Sequence, residues 1–355
     1  MSSHTTLLYL NLVKLSCISM LHSNYRFSKH GLFFAAIEYN CIDVVRYLMK
    51  SIDINLPNTI VLKGREYYYT PLMIASRFNR CKIIELLLDN GALINYQMPR
   101  RLYTALHIAV KNNHVTAVTI LLSRGASTNL KNVDGYTALH KAVIYRRSRE
   151  IIKLLLAYNA DIGIRDNNTY RISNEGYTPF DIVNKYYNHN IIELLTSHIV
   201  RLDKSNSVIK NSDGFKHNKE LIKKNKILRD IEKKCISDMN KMKAITINKR
   251  VTLFDSFVNN DIDLITHCKD RYEIRSLADN LTIYRDLYND FINICILRSN
   301  LLKKSIDLID ELYYKHFNSM SASWNDLPYD IKYNILKYMN NDELRKVSGS
   351  IMTIN

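Results

Sequence analysis

The stretch Thr70–Asn95, TPLMIASRFNRCKIIELLLDNGALIN, decides the fold, because two further stretches repeat it almost position for position. They are TALHIAVKNNHVTAVTILLSRGASTN from Thr104 and TALHKAVIYRRSREIIKLLLAYNADI from Thr137. A weaker copy, TPFDIVNKYYNHNIIELL, starts at Thr178, and GLFFAAIEYNCIDVVRYLM starts at Gly31 without the threonine. The starts at 31, 70, 104, 137 and 178 are 39, 34, 33 and 41 residues apart. Units of that length cannot bury an apolar face alone and must stack on their neighbours.

Each recurring position has a physical reason. Thr70, Thr104, Thr137 and Thr178 can cap helix N-termini by accepting from an orphaned N–H. Pro71 and Pro179 suit the first helical position, where a missing donor is harmless. The small Ala36, Ala75, Ala109 and Ala142 allow close approach of neighbouring helices. Ile83/Ile84, Ala117/Val118, Ile151/Ile152 and Ile191/Ile192, each followed by leucines, make the buried stripe of a second helix. Gly91 and Gly125 can close that helix in the left-handed region, and Asn159 replaces glycine in the fourth copy. Asp134-Gly135 fits the turn between units. The fourth copy carries one extra residue near Arg146–Arg149, expected between its two helices.

This pattern resembles the ankyrin repeat, with its period of 33 and its T-P-L-H-x-A signature. The resemblance implies an all-α solenoid of about five helix-turn-helix repeats over 31–200. His107 and His140 stand at the histidine of that signature. Neither has Cys, Asp or Glu at metal spacing, so both are read as hydrogen-bonding residues between repeats, with no chemistry assigned. Segments 51–69 and 161–177 exceed a standard connection, and such insertions commonly lie on loops of the binding face. Arg65, Tyr67, Tyr68 and Tyr69 are therefore candidate target contacts, with packing against the neighbouring repeat as the other reading.

The chain of 355 residues carries 50 Lys/Arg against 34 Asp/Glu, a net +16 that raises the question of acidic or nucleic-acid partners. Much of the excess lies between Arg201 and Arg250, where Leu221, Leu228, Ile231, Cys235 and Met239 recur at helical spacing. That segment reads as a basic helical connector with a solvated charged face. It lacks the interleaved aromatics that stack bases, so nucleic acid is the weaker partner. The six cysteines of the whole chain show no C-x-x-C and no metal spacing, which fits reduced thiols. Leu7–Leu21, interrupted by Asn11 and Lys14, reads as part of an N-terminal capping helix over 1–30 rather than as a signal peptide or membrane span. No phosphate-binding loop, catalytic triad or carboxylate pair is visible, and no cofactor or metal is expected. A soluble, intracellular and non-catalytic protein, with nuclear access left open, is the resulting expectation.

The second informative stretch is LPYDIKYNILKYMNNDEL, Leu327–Leu344. Leu-Pro opens a short helix whose Ile331, Ile335, Leu336 and Met339 are spaced i, i+4, i+5, i+8, predicting one apolar stripe that needs another surface. Leu344 and Val347 begin a further turn. Leu327, Pro328, Asp330, Ile331, Ile335, Leu336, Met339 and Leu344 resemble the opening of an F-box, with 327–347 as the F-box-like motif. Behind ankyrin repeats and a helical stretch such as 253–317, this end resembles the PRANC domain of poxvirus ankyrin proteins, here over 251–355. The resemblance implies an adaptor whose C-terminal helix docks on the Skp subunit of a host Skp–cullin–F-box ubiquitin ligase, while the repeats hold a host target. Leu327, Pro328, Ile331, Ile335, Leu336, Met339 and Leu344 would be the anchors. Trp324 would join them or close the core of the preceding helices. The alternatives are a ligase-independent decoy, in which this end is only a cap, and a nucleic-acid scaffold using 201–250.

Overall fold

Threonine capping sets the start of most first helices in the array. In the computed structural model, which describes residues 29–62, 65–167, 176–186, 189–248, 251–259, 261–266, 271–316, 327–339 and 343–344, the repeats form successive helix pairs. The first pair is α1 (Lys29–Glu38) and α2 (Ile42–Leu48). An antiparallel hairpin follows, β1 (Asn58–Leu62) and β2 (Arg65–Tyr69), with Asn58 opposite Tyr69 and Leu62 opposite Arg65. The long 51–69 connection was expected to be a loop in an all-α chain. Its Thr-Ile-Val and Tyr-Tyr-Tyr runs favour the pleated conformation and give the array a small sheet.

The next pairs are α3 (Pro71–Arg77) with α4 (Cys81–Asp89), α5 (Ala105–Lys111) with α6 (Val115–Ser123), and α7 (Ala138–Ile144) with α8 (Arg149–Ala157). The fifth is α9 (Pro179–Tyr186) with α10 (His189–Asp203). First helices stack on first helices and second on second, through buried Ala36, Ala75, Ala109 and Ala142 and the Ile83–Ile84 and Ile151–Ile152 pairs. The added residue of the fourth copy lies in the turn, where Ser148 caps α8 by accepting from the Ile151 N–H. Gly91, Gly125 and Asn159 all take the left-handed conformation expected of them. So do Asn40, Asn79, Asn113 and Arg146, one in each of the first four inter-helix turns, a regularity not anticipated from the sequence.

Histidines bind the central repeats together. The Thr104 backbone N–H donates to His107 Nδ1 at 3.2 Å, while His107 Nε2 reaches the Tyr136 carbonyl of the next repeat at 3.1 Å. His140 does the same with Thr137 and with the Tyr177 carbonyl, again at 3.2 and 3.1 Å. Both rings are buried, and burial pulls each pKa down to about 4. They are neutral structural linkers. In the fifth repeat Asp181 replaces histidine, accepting from the Thr178 N–H at 2.8 Å and lying 2.8 Å from His217 Nε2.

His217 belongs to α11 (Asp213–Lys224), whose buried Asn218 accepts from Thr178 Oγ1 and donates to the Ile162 carbonyl. The chain divides into two compact units, 1–199 with 208–221, and 200–207 with 222–355. The stretch 201–250 is therefore no single connector. Asn225 breaks it by capping α12 (Lys226–Lys243), and α11 and α12 fall mainly in different units. Leu228, Ile231, Cys235 and Met239 are buried as expected, and Arg229, Lys233 and Lys234 face solvent.

In the second unit, β3 (Thr246–Asn248) and β4 (Val251–Thr252) form a short hairpin before α13 (Leu253–Asn259) and α14 (Ile262–Thr266). Thr252 and Asp255 cap each other as Thr178 and Asp181 do, and the Asp261 N–H bonds the Ser256 carbonyl as His114 bonds Ala109. Residues 252–261 thus share the local capping and turn hydrogen bonds of the ankyrin-like units. Next come α15 (Tyr272–Asn280), the 32-residue α16 (Arg285–His316) and α17 (Tyr329–Leu336). Asp238, fully buried on α12, accepts from the N–H groups of Thr282, Ile283 and Tyr284 at 2.7–3.1 Å and so anchors the start of α16. Residues 1–28, which hold most of the expected capping helix, lie outside the described residues, and Lys29 and His30 open α1 instead.

Candidate docking surface

Pro328 sets the entry to α17. It stands at the N-cap (φ −56°, ψ 150°) rather than at the first helical position, and its carbonyl accepts from the N–H groups of Ile331 and Lys332. The helix ends at Leu336, three residues short of Met339. Arg298 on α16 holds the segment that follows. Its guanidinium donates to the carbonyls of Lys337 and Met339 and pairs with Asp263 at 2.5 Å.

The single apolar stripe divides in two. Tyr333 and Leu336 (6% exposed) turn inward onto Leu302 and Ile306 of α16, joined by Leu344 and by the partly buried Met339. The same face carries Lys332, buried, with its ammonium 2.8 Å from Asp310 Oδ1. Ile331 (45% exposed), Ile335 (50%) and Tyr338 (84%) turn outward, beside exposed Pro328 and half-buried Leu327. Leu336, Met339 and Leu344 are accordingly corrected from exposed anchors to core. Met339 lies beyond the end of the helix, Ile331 and Leu336 stand about 140° apart around its axis, and the Lys332–Asp310 pair lies on the buried side. Lys332, Tyr333, Arg298 and Asp310 escaped the sequence reading. The i, i+3 pair Tyr333/Leu336 was the available signal for the inner face. Trp324 and Val347 lie outside the described residues.

On the array, Tyr69 is buried, its hydroxyl taking a bond from Arg77 Nη1 at 3.3 Å with the guanidinium 5.6 Å from the ring centre. Packing, not target contact, is its role. Tyr68 is half-buried under the Arg100 guanidinium, 5.6 Å from its ring centre. Arg65 and Tyr67 lie on β2, and their side chains fall outside the described residues. Among the described residues no group of His, Cys, Asp and Glu could hold a metal, and no helix is long and apolar enough to cross a membrane.

Ankyrin-repeat profiles match residues 9–98 and 94–166, and the PRANC domain profile matches 248–349. An ankyrin repeat protein of Fowlpox virus (strain NVSL) is 46% identical over 344 residues, covering 96% of this chain and 98% of that protein. The chain belongs to the poxvirus ankyrin-repeat proteins with a C-terminal PRANC domain. Another Fowlpox virus member is 28% identical, covering 87% of this chain and 44% of the relative. A Cowpox virus (strain Brighton Red) ankyrin repeat domain-containing protein is 26% identical, covering 59% and 32% respectively. In this ankyrin/PRANC protein the repeats and the PRANC region are binding modules, and no catalytic domain is identified. The PRANC match contains α13 through α17, so the exposed Pro328–Ile331–Ile335 edge lies inside it.

Proposed function

We propose that the protein is a substrate adaptor: its repeats hold a host protein and its C-terminal helix docks on the Skp subunit of a host Skp–cullin–F-box ubiquitin ligase. The observation carrying this reading is the outward face of α17, where Pro328, Ile331, Ile335 and Tyr338 present apolar surface on a helix otherwise pinned to its own unit. A helix laid into a groove uses anchors at this i, i+4, i+7 spacing. Leu327 completes the Leu-Pro entry of the F-box-like motif. The host cytoplasm, where such ligases and their targets meet, is the site of action.

Purification of the tagged full chain from cells tests this. Skp and cullin subunits accompanying the wild type, and lost from the Leu327→Ala/Pro328→Ala variant while the host target stays bound, are expected. A wild-type complex lacking Skp and cullin would defeat the adaptor reading. One observation favours a second reading, a decoy that only sequesters its target: Leu336 and Leu344 seal against α16 as a solenoid cap would. A target captured without ligase subunits would support the decoy.

A further inference from the structure

Among five aligned first helices, one position reads Ala35, Ile74, Ile108, Lys141 and Ile182. Lys141 is the exception. It is as buried as the isoleucines, 4% exposed, and desolvation pulls its pKa down. Among the described residues no hydrogen bond or ion pair reaches its ammonium. Three tyrosines surround it instead, with ring centres at 4.4 Å (Tyr136), 5.2 Å (Tyr103) and 5.9 Å (Tyr145). Placing a cation where the neighbouring repeats hold isoleucine opposes folding, and cation–π contact offsets only part of that.

The surroundings add charge of the same sign. Lys111 and Arg147 both lie over the Tyr145 ring, at 5.9 and 5.2 Å. The Arg147 guanidinium donates to the Lys111 carbonyl, yet its Nε is buried and has no partner among the described residues. Arg101 lowers the Lys141 pKa, and Asp134 is the carboxylate that partly counters it. Tyr145 is exposed, with Tyr103 and Tyr136 half-buried, so the cluster opens to solvent along their edges.

We infer that Lys141, Lys111, Arg147 and the three tyrosines form a receptor for an acidic peptide segment of the target, one carboxylate seated at the Lys141 ammonium. This rests on the reading that the array holds a host protein, and it names the chemistry of that contact. Stacked nucleic-acid bases need free aromatic faces. Here the Tyr145 ring faces three cations and the Tyr136 ring faces one, which leaves hydroxyl edges and point charges, features suited to carboxylates.

The test is fluorescence anisotropy on the full chain with a labelled polyglutamate dodecapeptide, its polyglutamine counterpart and a single-stranded DNA dodecamer. Wild type should bind polyglutamate, more weakly as salt rises, and polyglutamine at least tenfold less tightly. Lys141→Ile, which restores the residue of the neighbouring repeats, should bind polyglutamate at least tenfold more weakly while unfolding at no lower temperature. The exposed Lys111→Gln variant, expected to bind about threefold more weakly, keeps the test decisive should Lys141→Ile misfold. Equal polyglutamate binding by wild type and both variants, or no binding by wild type, overturns the inference. DNA bound more tightly than peptide overturns the choice of partner. Host-protein capture by the wild type is read alongside. Capture that Lys141→Ile leaves unchanged sinks the inference and spares the array reading, whereas absence of any captured protein sinks the array reading itself.

Discussion

The buried ammonium of Lys332 lies 2.8 Å from Asp310 Oδ1, and this pair joins the face of α17 that packs through Tyr333 and Leu336 to α16. With Lys332, Tyr333 and Leu336 held inward, Ile331 and Ile335 are left facing solvent. The exposed edge thus lies on the face of the helix opposite a buried ion pair. Removing one partner of a buried pair strands the other. Asp310 is partly exposed, which moderates the penalty.

Asp310→Ala should therefore destabilise the C-terminal unit by about 2 kcal/mol in urea unfolding, whereas Ile331→Ala should change stability by less than about 1 kcal/mol. Equal effects would mean that α17 is not seated as described.

The repeat histidines make the array acid-sensitive. Their folded pKa of about 4 lies below the unfolded value of about 6.5, so between those limits the unfolded chain binds more protons. Stability is then full above about pH 6.5 and falls as the pH drops toward 4, by on the order of 3 kcal/mol per histidine. Urea midpoints measured at steps from pH 7 to 4.5 should decline, and more gently in His107→Gln. A wild-type midpoint that stays flat would contradict neutral, buried rings.

Arg146 holds a left-handed turn at φ 49°, where the first three repeats place Asn40, Asn79 and Asn113. Asparagine tolerates that region better than arginine. Arg146→Asn should raise the unfolding free energy by about 0.5 kcal/mol, checked by thermal or urea melts. A loss of stability would mean that the arginine side chain contributes more than its backbone strain removes.

Asp238 gathers three backbone N–H groups ahead of α16, with Lys241 3.5 Å away. Asp238→Ala strands those donors and should cost about 3 kcal/mol, while Asp238→Asn retains one acceptor oxygen and should cost less. Urea unfolding of the two variants gives the order. The reverse order would rule out the anchoring role.

The array was legible because capping and packing are local rules repeated at fixed spacing. Thr104 and Gly125 each reveal their role within one turn of helix, and His107 reveals its own through its place in the repeated signature. The hairpin at 58–69 was less legible because its Tyr run suited both a contact patch and packing on the neighbouring repeat, and strand pairing was not among the readings. At the C-terminus the reading of one stripe from Ile331 to Met339 overlooked two partners distant in sequence. Arg298 holds the carbonyls of Lys337 and Met339 just past the helix, and Asp310 pairs with Lys332 on its inner face. No spacing within 327–344 encodes either. The split at Asn225 was missed because the helical period continues on both sides of it, although asparagine is a strong cap.

The decisive measurement is the affinity of purified host Skp subunit for the chain, compared with Ile331→Asp/Ile335→Asp and with Leu336→Ala, by calorimetry. Wild type should bind, and the double variant at least a hundredfold more weakly while melting at the wild-type temperature. Leu336→Ala should melt lower yet bind with similar affinity below its transition. Undiminished binding by the double variant, or none by the wild type, would contradict a ligase-docking edge on this helix.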